Sequence, residues 1–100
     1  MIIYKTTEYL KWFKELRDFN AKDKIVKRLA RVEIGNLGDA TPVGQGVSEL
    51  RIHYGPGYRV YFTQRRGVVV ILLCGGDKGT QDWDIQKAKK LAKEAWEQIL

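Results

Sequence analysis

One hundred residues, 44% of them hydrophobic, suit a single compact domain over residues 1–100 with one modest core. The net charge of +6 favours polyanionic partners, either nucleic acid or an acidic protein. No apolar run reaches a membrane span, Met1-Ile2-Ile3-Tyr4 is too short for a signal peptide, and one His with one Cys cannot make a zinc cluster. The chain therefore reads as cytoplasmic, with no membrane, metal or cofactor.

Ile2 to Lys5 predicts a short first strand. Thr6 or Thr7 can cap a helix carrying Tyr9, Leu10, Trp12, Phe13 and Leu16. Asp18-Phe19-Asn20 reads as a turn. A second helix follows from about Ala21, with Ile25, Leu29 and Val32 on one stripe and Gly35 as its stop. So short a turn predicts an antiparallel helical hairpin. Its other side carries Lys22, Lys24, Lys27, Arg28 and Arg31, which is either an ordinary wet helix face or a substrate-binding patch. Asn36 to Gly46 has no periodicity and reads as a Gly-rich loop within the domain.

Val47 to Phe62 predicts a tight β-hairpin around Gly55-Pro56-Gly57. Alternation puts Leu50, Ile52, Tyr54, Tyr58, Val60 and Phe62 on the core face. The opposite face then carries Glu49, Arg51 and His53 beside Arg59, Tyr61 and Thr63. Arg51 and Arg59 are expected on neighbouring strands with side chains on that one face. Two arginines, a histidine and a tyrosine together read as a phosphate-handling surface.

Gln64-Arg65-Arg66-Gly67 is a second turn. The apolar run Val68–Cys74 predicts a strand inside the sheet with both faces covered. Cys74 ends that run, which suits a buried structural thiol. After Gly75-Gly76-Asp77-Lys78-Gly79 the chain turns helical from Thr80 or Asp82. Ile85, Ala88, Leu91, Ala92, Ala95, Trp96 and Ile99 form its apolar stripe. The order β-α-α-β-β-β-α is an α+β layout with helices stacked on a mostly antiparallel sheet.

Glu49-Leu50-Arg51, Gly57-Tyr58-Arg59-Val60-Tyr61, Leu72 to Lys78, and Gln81 followed by Asp84-Ile85 resemble the phage-derived killer-protein branch of the RelE/ParE toxin superfamily. That branch lies close to HigB-type toxins, and the resemblance covers nearly the whole chain. It implies a RelE/ParE-like fold and the toxin half of a type II toxin–antitoxin pair. The implied partner is a cognate antitoxin, of helix-turn-helix type. In the RelE and HigB branches it implies an endoribonuclease that cuts mRNA, commonly on the ribosome. Arg59 falls on the arginine of the family's Gly-Tyr-Arg strand; Arg51 and Lys78 match basic positions on the preceding strand and the following loop.

The residues themselves support a compatible, metal-independent chemistry. RNA cleavage by internal attack needs a base for the 2′-hydroxyl proton, cations for the charge developing on phosphate, and an acid for the leaving 5′-oxygen. Arg51 and Arg59 are forked, permanent cations suited to phosphate oxygens, and Lys78 lies on a loop that can reach the same surface. His53 is the best acid–base candidate by its ordinary pKa. Tyr61 is placed to stack on a base or donate a proton. A polar strand-face position for Arg59 predicts little change in stability on its truncation.

Structural alternatives stand beside each role. Arg59 can simply pair with Glu49, Lys78 can cap a turn, His53 can be an exposed strand residue, and Tyr61 can be a strand aromatic. Two other functions share the fold: a ParE-like DNA gyrase inhibitor without catalysis, and a non-toxic RNA-binding module. Convergence of Arg51, Arg59 and Lys78 is what a nuclease needs and a gyrase inhibitor does not.

Overall fold

A computed structural model describes residues 1–99, and of Ile99 the backbone only, so the expected place of the Ile99 side chain in the last apolar stripe lies outside the described residues. The chain runs β1 (Ile2–Lys5), α1 (Thr7–Glu15), α2 (Phe19–Glu33), β2 (Ala40–Gly44), β3 (Val47–Ile52), β4 (Tyr58–Arg65), β5 (Val69–Gly76), a 3-10 turn (Lys78–Thr80) and α3 (Gln81–Ile99). The sheet order is β1-β5-β4-β3-β2, with β1 parallel to β5 and the other pairs antiparallel.

Local chemistry sets the helix starts. The Thr6 hydroxyl accepts from the Tyr9 amide at 3.0 Å and caps α1. The Asp18 carboxylate accepts from the Asn20 and Ala21 amides at 2.9 and 3.2 Å. That cap lets α2 begin at Phe19, two residues before the expected start, and takes up most of the expected turn.

The Gly-rich segment after α2 is not all loop. Ala40–Gly44 forms the edge strand β2, with Pro42 opposite Ser48. Proline has no amide to give a ladder, so it is tolerated at a sheet edge and hides a strand from a sequence reading. Gln45 and Gly46, at φ of 54° and 76°, make the tight link to β3.

Alternation sorts the hairpin faces as expected. Leu50, Ile52, Val60 and Phe62 are buried in one cluster with Tyr9, Ile25, Leu29 and Val32 of α1 and α2. The opposite face was expected to be open, and this is corrected by α3. Ala88 and Ala92, small enough for close approach, bring α3 down onto Val47, Tyr61, Ile71, Leu73 and Cys74 in a second cluster. Trp96 donates its indole N–H to the Thr63 hydroxyl at 3.1 Å. Arg51, further along that face, keeps a half-exposed side chain. Cys74 is buried, and burial pushes its thiol up to about 12.

Among the described residues no helix is long and apolar enough to cross a membrane.

Candidate functional site

The hairpin positions the site. Arg51 on β3 and Arg59 on β4 are direct cross-strand partners, so their side chains share one face. Glu49, two residues before Arg51 on the same side of β3, is almost completely buried at 1% exposure. Its Oε1 accepts from Arg51 Nε at 3.0 Å. Its Oε2 lies 3.4 Å from Arg59 Nε, an ion-pair contact without hydrogen-bond geometry. The same oxygen accepts from Gln81 Nε2 at 2.8 Å and from the Tyr61 hydroxyl at 3.4 Å. Burial alone would raise the Glu49 carboxyl. The hydrogen bonds of Gln81 and Arg51 and the charges of both arginines outweigh it and hold the carboxyl below its ordinary value.

Lys78 reaches this group through the turn. Its amide donates to the Pro56 carbonyl at 3.3 Å, and Arg59 Nη1 donates to the Gly57 carbonyl at 2.7 Å. Gly57 has φ +80°, and a Cβ there would meet Arg59 Nη1 at 3.2 Å and Lys78 Cβ at 3.4 Å. The positive φ favours glycine there, and a side chain would also crowd the Arg59 guanidinium. Arg51, Arg59 and Lys78 thus gather at one end of the sheet, with Arg59 deepest (12% side-chain exposure), Arg51 half-exposed and Lys78 exposed.

The loop that carries Lys78 is fixed at its far end. Asp77 accepts from the Gly79 amide at 2.8 Å, and the Thr80 hydroxyl donates to Asp84 at 2.5 Å. Asp84 is buried, which raises its carboxyl above the ordinary value against the Thr80 hydrogen bond.

His53 belongs to a neighbouring cleft. β3 ends at Ile52, so strand alternation no longer governs His53. Its exposed ring makes a close contact with Asp39 and lines an open cleft of about 280 Å³ with Lys24, Lys27, Arg28, Arg31 and Ile52. Arg51 stands between the two regions: its guanidinium reaches Glu49, while its carbonyl accepts from Arg28 Nη1 at 2.5 Å.

One expected substrate contact is corrected. Tyr61 is fully buried beneath α3, with no ring face open to a base, and burial raises its phenol well above the ordinary value. Arg28, half-buried in the wall of the cleft beside His53, also clamps the chain, its Nη2 donating to the Leu37 and Asp39 carbonyls at 3.0 and 3.3 Å. Burial lowers its guanidinium from the ordinary value, with the Asp39 charge opposing.

The lysines of α2 are differently engaged. Lys22 donates to the Lys14 carbonyl at 3.3 Å and lies 5.3 Å from the Phe13 ring centre; Lys24 lies 5.4 Å from that of Tyr54. Lys27 pairs with Asp23 at 2.8 Å, an exposed i,i+4 contact.

Sequence reasoning gave Glu49 no role beyond pairing with Arg59, and gave Gln81 none. The spacing Glu49-x-Arg51 on one strand face was the available signal for Glu49. Nothing local pointed Gln81 across 32 residues to it.

A fold with this topology is already known. The structure of a mutant of the E. coli toxin RelE in the free state superposes with a TM-score of 0.63 over 99% of this chain and 97% of that one, at 19% identity. The protein thus has the fold of RelE. Residues 11–97 match the family model "Phage derived protein Gp49-like (DUF891)", and the chain belongs to that family. It is also 51% identical over 92 residues to an uncharacterised protein of Haemophilus influenzae, covering 92% of this chain and 93% of that protein.

Proposed function

We propose that this protein is the toxin of a type II toxin–antitoxin module and acts as an endoribonuclease on mRNA at the ribosome, in the cytoplasm. The family and the fold support the toxin class. The observation that carries the catalytic reading is the in-register pair Arg51 and Arg59 with Lys78 beside them at the open end of the sheet.

In this reading the 2′-hydroxyl gives its proton to solvent water and attacks the adjacent phosphorus as the P–O5′ bond breaks. This leaves a 2′,3′-cyclic phosphate and a 5′-hydroxyl protonated from Lys78, which regains its proton from water. Arg51 and Arg59 hold the non-bridging oxygens, and Lys78 meets the charge on the departing 5′-oxygen. Glu49 is a poor base, because its carboxylate is engaged on both oxygens and held low. His53 lies one cleft away, where a longer RNA also crossing Lys24, Lys27 and Arg31 would meet it. Most of the acceleration is therefore assigned to fixed cations and substrate alignment.

The partner expected is an antitoxin with an acidic or amphipathic segment that covers a cationic surface, so that association weakens with salt. Primer-extension mapping of mRNA, with and without ribosomes, tests the activity. Cuts that need the protein and vanish with the antitoxin support it; an intact message during growth arrest defeats it.

One observation favours a second reading, a binding toxin of the gyrase-inhibitor kind. Glu49 partly neutralises both arginines, as a purely structural ion-pair network would.

A further inference from the structure

We propose that Glu49 is a positioning residue that aligns all three cations of the site, with Gln81 as its tie to α3. The inference rests on the nuclease reading and adds to it the residues that preorganise the phosphate-binding donors.

Glu49 touches the two arginines at the same atom of each, Nε. A guanidinium presents two edges, and occupying Nε leaves the outer Nη groups for a ligand. Among the described residues the Nη atoms of Arg51 have no hydrogen-bond partner. Arg59 uses only Nη1, on the Gly57 carbonyl. One buried carboxylate thus hydrogen-bonds Arg51 and pairs by charge with Arg59, two side chains that would otherwise repel across the strand pair, and leaves the Nη groups of Arg51 and Nη2 of Arg59 unspent.

Two further contacts restrict Glu49 itself. Gln81 donates to Oε2 from the first residue of α3, and Tyr61 approaches the same oxygen from the sheet. Gln81 follows Lys78 by three residues, across the short 3-10 turn. The Gln81 contact therefore links the segment that bears Lys78 to the carboxylate that holds Arg51 and Arg59. If Glu49 served only to neutralise the site, removing its charge would strengthen phosphate binding and raise activity. If it positions, the same change lowers turnover while substrate binding holds or tightens, because the net positive charge has grown.

Single-turnover cleavage of ribosome-bound mRNA by the full chain separates these outcomes, comparing wild type, Glu49→Gln and Gln81→Ala. Glu49→Gln is expected to lower the maximal rate at least tenfold with half-saturation unchanged or lower. Gln81→Ala is expected to act in the same direction, less severely, and keeps the test available if Glu49→Gln folds poorly. Rates within threefold of wild type in both variants, or a faster Glu49→Gln, overturn the proposal.

A second readout does not depend on catalysis. The Nε–H signals of Arg51 and Arg59 in 15N NMR are expected to be dispersed and slow to exchange in wild type, and to collapse toward free arginine in Glu49→Gln. Signals already free-like in wild type overturn the positioning role. A wild type that cuts no RNA defeats the nuclease reading alone, and the NMR comparison still decides whether Glu49 orders the arginines.

Discussion

Arg51 and Arg59 stand directly opposite one another on neighbouring strands, both within ion-pair distance of the Glu49 carboxylate. Like charges so placed destabilise a sheet unless something compensates them. Here the compensation is buried, and it changes what each substitution should do.

Arg59→Ala is the first case. An open strand face predicts almost no stability cost, but Arg59 is largely buried and faces a buried carboxylate. Removing it leaves Glu49 with less compensation, at a cost of about 1–3 kcal/mol. Loss of a transition-state donor should lower mRNA cleavage on the order of a hundred- to a thousandfold. Thermal unfolding and cleavage assays on the same preparation check both. Unchanged stability would place the guanidinium in solvent, away from Glu49.

Much of this was legible in the sequence wherever periodicity decides the outcome. Leu50, Ile52, Val60 and Phe62 went to the core, and Arg51 and Arg59 to one shared face, because side chains alternate on a strand. Alternation says nothing of what covers the polar face. Ala88 and Ala92 bring α3 down on it, and so Tyr61 and Glu49 are interior residues. β2 went unread because Pro42 and the glycines around it look like loop. His53 left its expected face because β3 stops one residue earlier.

Glu49 should also leave a mark on acid stability. Its carboxyl in the folded protein titrates below the ordinary value of 4.5, so the unfolded chain binds the proton more tightly. Its contribution is fully present above that ordinary value and is lost as pH falls through the lower, folded one. The melting temperature of wild type should therefore fall more steeply below about pH 4.5 than that of Glu49→Gln. Parallel curves would contradict a held, ionised Glu49.

Tyr61→Phe keeps the buried ring and removes only the long hydroxyl contact to Glu49. Stability should change by no more than about 1 kcal/mol, with RNA affinity as in wild type. A tenfold loss of RNA binding, measured by filter retention or fluorescence anisotropy, would return the ring to the substrate. His53→Ala is expected to keep cleavage within threefold, since its charged neighbours are Asp39 and the basic face of α2. A loss of a hundredfold would make it the acid–base group.

The Gly75-Gly76 pair is read as packing. A Cβ on Gly75 would lie 2.3 Å from the Trp12 ring, and one on Gly76 would lie 1.8 Å from Asp84 Oδ2. Either alanine substitution should destabilise by about 1–3 kcal/mol, seen as a lower denaturation midpoint. Wild-type stability in both variants would mean that α1 and α3 do not sit against β5 as described.

In the proposed mechanism Arg51, Arg59 and Lys78 together cut RNA. Mapping of mRNA 5′ ends on ribosomes, for wild type and a folded Arg51/Arg59/Lys78 triple alanine variant, tests it most directly. Discrete cuts are expected with wild type and none with the variant, together with loss of growth arrest. A folded triple variant that still cuts mRNA, or that arrests growth as strongly as wild type, would contradict it.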